Sequence, residues 1–498
     1  MRLHDLLTGS GSADAVPDPG IEITGEITGD AEVDVRSVVI DHRDVRDGAL
    51  FCCVPGAQHD GHDYAPAAVA GGAVALLVER PLDLPVARVR VPSVRFAVGP
   101  LASRIWGDPS RAMTVIGITG TNGKTTTAAL VEGIAVAAGC ATGLLGTVAT
   151  RFGAVEEVPV HTTAEAPALQ QVLARMRDAG VDLVAMEVSS HALAQHRVDG
   201  TRFGAVAFTN LGRDHLDFHG TMGAYLEAKE RLLRPAFTDR AAVNLDDPVG
   251  PEVARRAAAA GLEVRTFGCS SEADLRAEDP DFGPGGTEFT LVRSGRRTRV
   301  RVCLPGAFNV ANALAAAALA DLAELPGDAI RAGLAAVSAV PGRMERIDGA
   351  DRGPVFVDYA HTPDALDAVL VAARRFVTGP GRVIVVFGCG GDRDRAKRPE
   401  MGAVAVRRAD LVFVTSDNPR SERPEDIAAE IVAGMVSRAS ATVELDRREA
   451  IRSAIAAWRP GDVVVVAGKG HETGQTAAGE TRPFDDRAEV RAALGGDA

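Results

Sequence analysis

Short apolar runs alternate with stretches of helical period through most of this chain. Between about residues 111 and 341, the runs at 113–118, 183–188, 205–209 and 241–244 read as strands. Beyond a turn at Val340-Pro341-Gly342, a second series follows at 355–357, 383–387, 411–415 and 463–467, with a helical period such as 427–436 between runs. Near-continuous apolar strands are buried on both faces, and their alternation with helices predicts mostly parallel sheets. Before residue 108 the runs at 35–40 and 73–78 read as a small α/β module, closed off by the turn-rich Trp106-Gly107-Asp108-Pro109-Ser110. The pattern predicts an α/β protein of three domains in series, 1–108, 109–341 and 342–498. Alanine-rich helices are expected around 257–260 and 311–320.

Composition narrows the function classes. A 498-residue chain is too long for one core, and its 46% hydrophobic content supports several. The net charge of −13, without a basic run, argues against nucleic acid as a partner. Any anionic ligand must then meet locally concentrated positive charge. Cys52, Cys53, Cys140, Cys269, Cys303 and Cys389 include no CxxC pair, so zinc or a redox dithiol is not expected. The N-terminus is too short and polar for a signal peptide, and no apolar stretch is long enough to span a membrane. A cytoplasmic monomer with reduced thiols is the expectation.

The strongest chemical signal is Gly117-Ile118-Thr119-Gly120-Thr121-Asn122-Gly123-Lys124-Thr125-Thr126-Thr127. It joins the 113–118 strand to a helix. A Gly-rich turn at a helix N-terminus turns backbone N–H groups and the helix dipole toward phosphate. Lys124 is placed to reach the terminal phosphates of a nucleotide, and Thr125 to hold Mg²⁺. Ile118 occupies the position where the strict motif has its first glycine, so this is a variant P-loop.

Other candidates sit at strand ends. Glu187 ends one strand and suits a Mg²⁺ ligand near a P-loop, with Ser189, Ser190 and His191 opening the next helix; an ordinary capped helix start is the alternative. Asp214, His215 and Asp217 follow another strand and suit a divalent cation or a solvated turn. Lys229, on a helix, reads by itself as a surface lysine. Asn309 and Asn312 at a helix start are either caps or adenine contacts. Asp358 and His361 again follow a strand. Arg393, Asp417-Asn418-Pro419-Arg420 and Gly468 to Glu472 lie on three loops of the last domain. An Arg fork for a carboxylate and a Glu for an ammonium would make a zwitterion pocket; solvated loop charges are the alternative.

TGTNGKTTT, EVSSHALAQHR, TNLGRDHLDFHG, GAFNVANAL, VPGRMER, VDYAHTPDAL, GCGGDRDRAKRPEM, SDNPRSE and AGKGHETGQ occur together and in order, from about residue 35 to 490. In this the chain resembles the Mur ligase family. The resemblance implies a UDP-binding N-terminal domain, a central P-loop ATPase and a C-terminal Rossmann-like domain that binds an amino acid. It assigns ATP to Gly120, Thr121, Asn122, Gly123, Lys124, Thr125, Thr126, Asn312, Arg343 and Asp358. It assigns the UDP-muramoyl peptide to Thr162, Thr163, Ser189, Gln195 and Arg197, and Mg²⁺ to Thr125, Glu187 and His215. Lys229 matches the lysine that the family carboxylates, whose carbamate serves the metal site. Arg393, Asp417, Asn418, Pro419, Arg420, Gly468 and Glu472 match a diaminopimelate site. Lys124, Lys229, His215 and Glu187 are the implied catalytic set. Two positions depart from the family's usual pattern: His42 stands where Asp-Ser-Arg has its serine beside the uridine, and Ala164 replaces a proline.

The implied reaction is ATP-driven amide formation between the D-Glu γ-carboxylate of UDP-N-acetylmuramoyl-L-Ala-D-Glu and diaminopimelate, through an acyl phosphate, in peptidoglycan precursor synthesis. A folylpolyglutamate-synthetase-like ligase is the near alternative, and a nucleotide-hydrolysing switch the distant one.

Overall fold

The computed structural model describes residues 1–9, 23, 25–56, 59–283, 285–347, 352–436 and 441–495. Three large sheets follow one another along the chain, with a separate hairpin, Gly474–Ala477 with Glu480–Pro483. The first sheet runs in the order Glu26–Thr28, Ala87–Arg90, Ala73–Val78, Ala49–Cys52, Ser37–Val39.

The second sheet has eleven strands, and its middle is parallel. Thr114–Thr119 lies between Leu183–Glu187 and Ala205–Phe208, so the chain leaves this strand in both lateral directions. A reversal of this kind opens a crevice beyond the carboxyl ends of the central strands, which is where open α/β sheets bind ligands. The three strands are almost wholly buried. Helices Lys124–Ala137, Phe308–Leu322 and Gly327–Ala336 cover one face. From Ala313 to Ala320 every side chain is buried, and all but two are alanine, so that helix lies close to the sheet.

Helix Lys124–Ala137 is fixed from behind by a glycine contact. A Cβ on Gly333 would lie 2.3 Å from Ile134 Cα, and one on Gly133 would lie 2.7 Å from Val337 Cγ2. Gly333→Val is therefore expected to destabilise the protein by about 1–3 kcal/mol, the usual cost of overpacking. A thermal unfolding midpoint equal to wild type would show that the helices separate freely.

The third sheet runs Glu345–Ile347, Val355–Asp358, Val463–Ala467, Val383–Phe387, Leu411–Val414, Ala441–Val443, parallel except at the first pair. Helices Pro363–Arg374, Lys397–Arg408 and Pro424–Ala433 pack on one face, Arg447–Ala457 and Asp486–Ala493 on the other. This is a doubly wound, Rossmann-like layer arrangement. The helix expected at 427–436 starts earlier, with Pro424 in its first turn, and ends before Gly434. The antiparallel strands Leu275–Gly283, Gly286–Arg293 and Arg296–Val302 were not expected: their Arg/Glu-rich alternation leaves one face in solvent and gives no continuous apolar run.

Candidate active site

Two glycines shape the P-loop. Gly120 has φ 146°, and a Cβ there would sit 1.9 Å from Thr209 Oγ1; Gly123 has φ 89°, and a Cβ there would sit 2.3 Å from Asn312 Oδ1. Lys124 folds back over the loop, donating to the Gly120 and Thr121 carbonyls at 2.8 Å each. Burial lowers its pKa, opposed by the charge of Glu187. Thr125 Oγ1 donates to Glu187 Oε2 at 2.9 Å and accepts from Arg343 Nη2 at 2.9 Å.

Glu187 is held at its strand end by Thr147, whose N–H donates to Oε1 at 2.7 Å and whose hydroxyl donates to Oε2 at 3.0 Å. Thr147 Oγ1 is also 3.1 Å from Thr162 Oγ1. Thr163 Oγ1 donates to the Glu187 carbonyl at 2.9 Å and accepts from the Ser189 N–H at 3.0 Å. Ser189 caps helix Ser190–Ala194 by accepting from Ala192 N, so the capping alternative for this serine is also observed. Arg197 donates to the Thr163 carbonyl at 3.0 Å and to Gln195 Oε1 at 2.7 Å. Thr162, Thr163, Ser189, Gln195 and Arg197 thus form one connected cluster. Thr162 and Thr163 also line a second cavity of about 400 Å³.

His215 adopts φ 54°, a left-handed conformation that costs energy for a residue with a side chain. Its Nε2 lies 3.3 Å from Asp214 Oδ2, which is also 3.4 Å from His361 Nε2; Asp214 Oδ1 is 3.9 Å from Lys397 Nζ. Burial would raise the Asp214 pKa, but the hydrogen bond and charge of His361 and the charge of Lys397 more than offset it and hold the carboxyl low. The His215 imidazole is pushed down to about 3, chiefly by burial, so it is neutral and has a lone pair to offer.

Lys229 corrects the surface reading of its helix. It is only 1% exposed, on the inward face of Met222–Glu230, with Nζ 4.3 Å from the Tyr225 ring centroid. Burial, then the charge of Lys124, lowers its pKa well below that of a free lysine. The Tyr225 hydroxyl is 3.1 Å from Thr121 Oγ1, so the helix also contacts the P-loop.

Lys124, Thr125, Glu187, Asp214, His215 and Lys229 line one cavity of about 350 Å³, bounded on the C-terminal side by Arg343, Asp358, Tyr359 and His361. Thr162 and Ser189 reach it too, whereas Thr163, Gln195 and Arg197 are not part of its lining. Asp358 accepts from Met344 N at 2.6 Å and Ala360 N at 2.7 Å, and burial raises its pKa against the pull of Arg343. The Arg343 guanidinium lies over the Tyr359 ring at 4.5 Å. Asn312 is not a cap: the N-cap of Phe308–Leu322 is Ala307, and Asn312 Nδ2 donates to Asn309 Oδ1 at 2.8 Å.

On the C-terminal loops, Asn418 Nδ2 donates to Glu472 Oε2 at 2.8 Å. Arg420 has φ 55° and donates to the Gly391 carbonyl at 2.6 Å. A Cβ on Gly391 would lie 1.8 Å from the Pro419 carbonyl oxygen, and one on Gly468 would lie 2.5 Å from Asp417 Oδ2, so the three loops touch. Arg393 is exposed and, among the described residues, donates to the Asp392 carbonyl at 3.3 Å. His42 lies in the first unit, stacked on Tyr64 with centroids 4.8 Å apart and planes 10° apart.

The sequence matches the Mur ligase catalytic domain over residues 34–102, the Mur ligase middle domain over 118–320 and the Mur ligase glutamate ligase domain over 342–470. It is 46% identical to the UDP-N-acetylmuramoyl-L-alanyl-D-glutamate–2,6-diaminopimelate ligase of Gloeobacter violaceus, over 99% of this chain and 98% of that one. The chain belongs to the Mur ligase family. The ligase of the same description from Streptomyces avermitilis is 44% identical over 96% of each chain. A solved structure of such a ligase aligns at TM-score 0.69 and 35% identity, covering 94% of this chain and 97% of that one. The fold is shared with Mycobacterium tuberculosis folylpolyglutamate synthase in complex with ADP and AMPPCP, at TM-score 0.64 and 21% identity, over 80% of this chain and 94% of that one.

As a Mur ligase the chain belongs to a family of ATP- and Mg²⁺-dependent enzymes. Among the described residues no three His, Cys, Asp or Glu side chains form a ready-made metal cage. Mg²⁺ needs none: it takes one or two carboxylates and completes its octahedron with phosphate and water. The Glu187 carboxylate and the Thr125 hydroxyl, 2.9 Å apart on one cavity wall, fit that demand, and His215 lines the same cavity. Thr147 and Tyr225 carry no local signal, since their contacts arise when distant segments meet. Among the described residues no helix is long and apolar enough to cross a membrane.

Proposed function

We propose that this chain is the ATP-dependent ligase that joins diaminopimelate to the D-Glu γ-carboxylate of UDP-N-acetylmuramoyl-L-alanyl-D-glutamate, in cytoplasmic peptidoglycan precursor synthesis. One observation carries the reading: Arg343, just ahead of the C-terminal sheet, donates to the P-loop hydroxyl of Thr125, so the phosphate cradle is closed by the unit that carries the amino-acid loops. Near full-length identity to ligases of that description supports the choice of substrates.

In this reading residues 1–108 hold the UDP end, 109–341 the ATP, and 342–498 the amino acid. The backbone of Gly120 to Thr126 cradles the phosphates, and Lys124 meets the charge on the transferring group. Asn312, Arg343 and Asp358 hold the rest of the nucleotide. Glu187, Thr125 and His215 would hold Mg²⁺, which supplies charge neutralisation at the transferring phosphate. Thr162, Thr163, Ser189, Gln195 and Arg197 orient the muramoyl peptide so that its carboxylate attacks the γ-phosphorus. ADP leaves and an acyl phosphate remains. The amine of diaminopimelate then adds to the acyl carbon, and phosphate departs with the C–O bond. The reaction needs the walls of this cavity to draw together around bound substrates, so that water is kept from the anhydride. Purified protein given ATP, the UDP-dipeptide and a panel of amines should release phosphate only with diaminopimelate; release without any amine would favour a nucleotide-hydrolysing switch.

Lys229 works here as a carbamate. Its amine adds CO₂ and loses a proton, which requires the neutral form that burial beside Lys124 favours. Lys229→Ala is expected to lose about 10²-fold or more in turnover, as for a main electrostatic group. A short-chain carboxylic acid in the assay should restore part of it. Absence of rescue, with intact-mass measurement giving unmodified lysine, would overturn this role.

A further inference from the structure

Lys469 is fully buried between the two loops that meet in the amino-acid pocket. Its Nζ donates to Glu472 Oε2 at 2.8 Å and to Asn418 Oδ1 at 3.1 Å. Asn418 Oδ1 also accepts from the Thr476 N–H at 3.0 Å, and Asn418 Nδ2 donates to Glu472 Oε2 at 2.8 Å. The two amide ends of Asn418 are thereby distinguished. With the amide reversed, its NH₂ would face an ammonium and a backbone N–H, donors against donors. Glu472 Oε2 receives two donors, while among the described residues Oε1 receives none.

We infer that Lys469 is a positioning residue for the amino-acid substrate: its ammonium fixes the Asn418 amide and saturates Glu472 Oε2, leaving Oε1 for the substrate's ammonium. This rests on the assignment of the pocket to an amino acid made above. A buried ammonium that served only to pair with the half-buried Glu472 carboxylate would make the same ion pair. It would not couple to one substrate alone.

A double-mutant cycle on the full-length enzyme tests the inference, with Lys469→Met, Glu472→Gln and the double variant. In Lys469→Met the KM for diaminopimelate should rise about tenfold or more, while kcat and the KM values for ATP and the UDP-dipeptide stay within about threefold. The double variant should be no worse than Glu472→Gln alone, because Lys469 acts through that carboxylate. Additive effects, or parallel changes in all three KM values, would overturn the proposal. If Lys469→Met fails to fold, the double variant removes both charges and leaves no unpaired one, and its KM against Glu472→Gln decides. If wild type rejects diaminopimelate and accepts another amine, the substrate reading falls, and the cycle run with that amine still decides Lys469.

Discussion

Lys124→Ala is expected to release phosphate about 10²-fold or more slowly than wild type with all substrates saturating, because it loses a principal electrostatic stabiliser of the transferring group. The ammonium donates at 2.8 Å to two carbonyls of the loop that must wrap the phosphates. Those carbonyls are weak partners for a buried cation, and phosphate oxygens are stronger ones. Binding should therefore draw the side chain from the loop to the ligand. ATP affinity, measured by calorimetry, should fall with turnover. Lys124→Arg should not restore the enzyme, since a planar fork does not replace a compact point charge in so close a turn. Near-normal phosphate release by Lys124→Ala would mean that the cavity performs different chemistry.

The second large effect concerns the choice between diaminopimelate and L-lysine, which differ by one carboxylate. Arg420 is held in a left-handed conformation by a ladder contact: its N–H donates to Thr476 O at 3.0 Å, and Ala478 N donates to Arg420 O at 2.7 Å. One arm of its guanidinium is engaged by the Gly391 carbonyl, and the remaining N–H groups can clasp a carboxylate. With lysine those donors of the half-buried Arg420 would have no carboxylate to meet. Sites built around a polar partner reject analogues lacking it by large factors, so kcat/KM should favour diaminopimelate by about 10³-fold or more. Arg420→Ala should shrink that ratio by about 10²-fold, mainly through loss of the preferred substrate. Steady-state kinetics with both amines on both proteins measure it; an unchanged ratio would remove Arg420 from the pocket.

The parts of this molecule that were legible in its sequence share one physical property: their information is local. The strand expected at 183–188 is observed at Leu183–Glu187, and that expected at 383–387 at Val383–Phe387, because strands buried on both faces must be apolar without interruption. The P-loop was legible because glycine is demanded at Gly120 and Gly123 by contacts a Cβ would violate. The polar antiparallel strands at 275–302 carry no such signal. Lys229 could not be read from its helix, since nothing in its neighbourhood says which face is covered; family resemblance singled it out, and its burial comes from packing against Tyr225. Asp214 was visible as a strand-end acid, but two of its partners, His361 and Lys397, come from the next sheet's segment. Arg393 was grouped with the pocket by loop order, and its side chain is exposed beside Asp392.

The order of strands in the third sheet bears on how the molecule comes into being. Val463–Ala467 lies between Val355–Asp358 and Val383–Phe387, yet among the described strands of that sheet it is the last to be synthesised. Until it is in place the two flanking strands have no common partner, and no completed sheet holds Asp358, Tyr359 and His361 against the cradle. Domains form as units during synthesis, N-terminal ones first. A ribosome-bound chain therefore owns a phosphate cradle well before it owns the wall that seals it. Nascent molecules are therefore expected to bind a nucleotide before they can form the anhydride, because the strand that completes this sheet is delivered last.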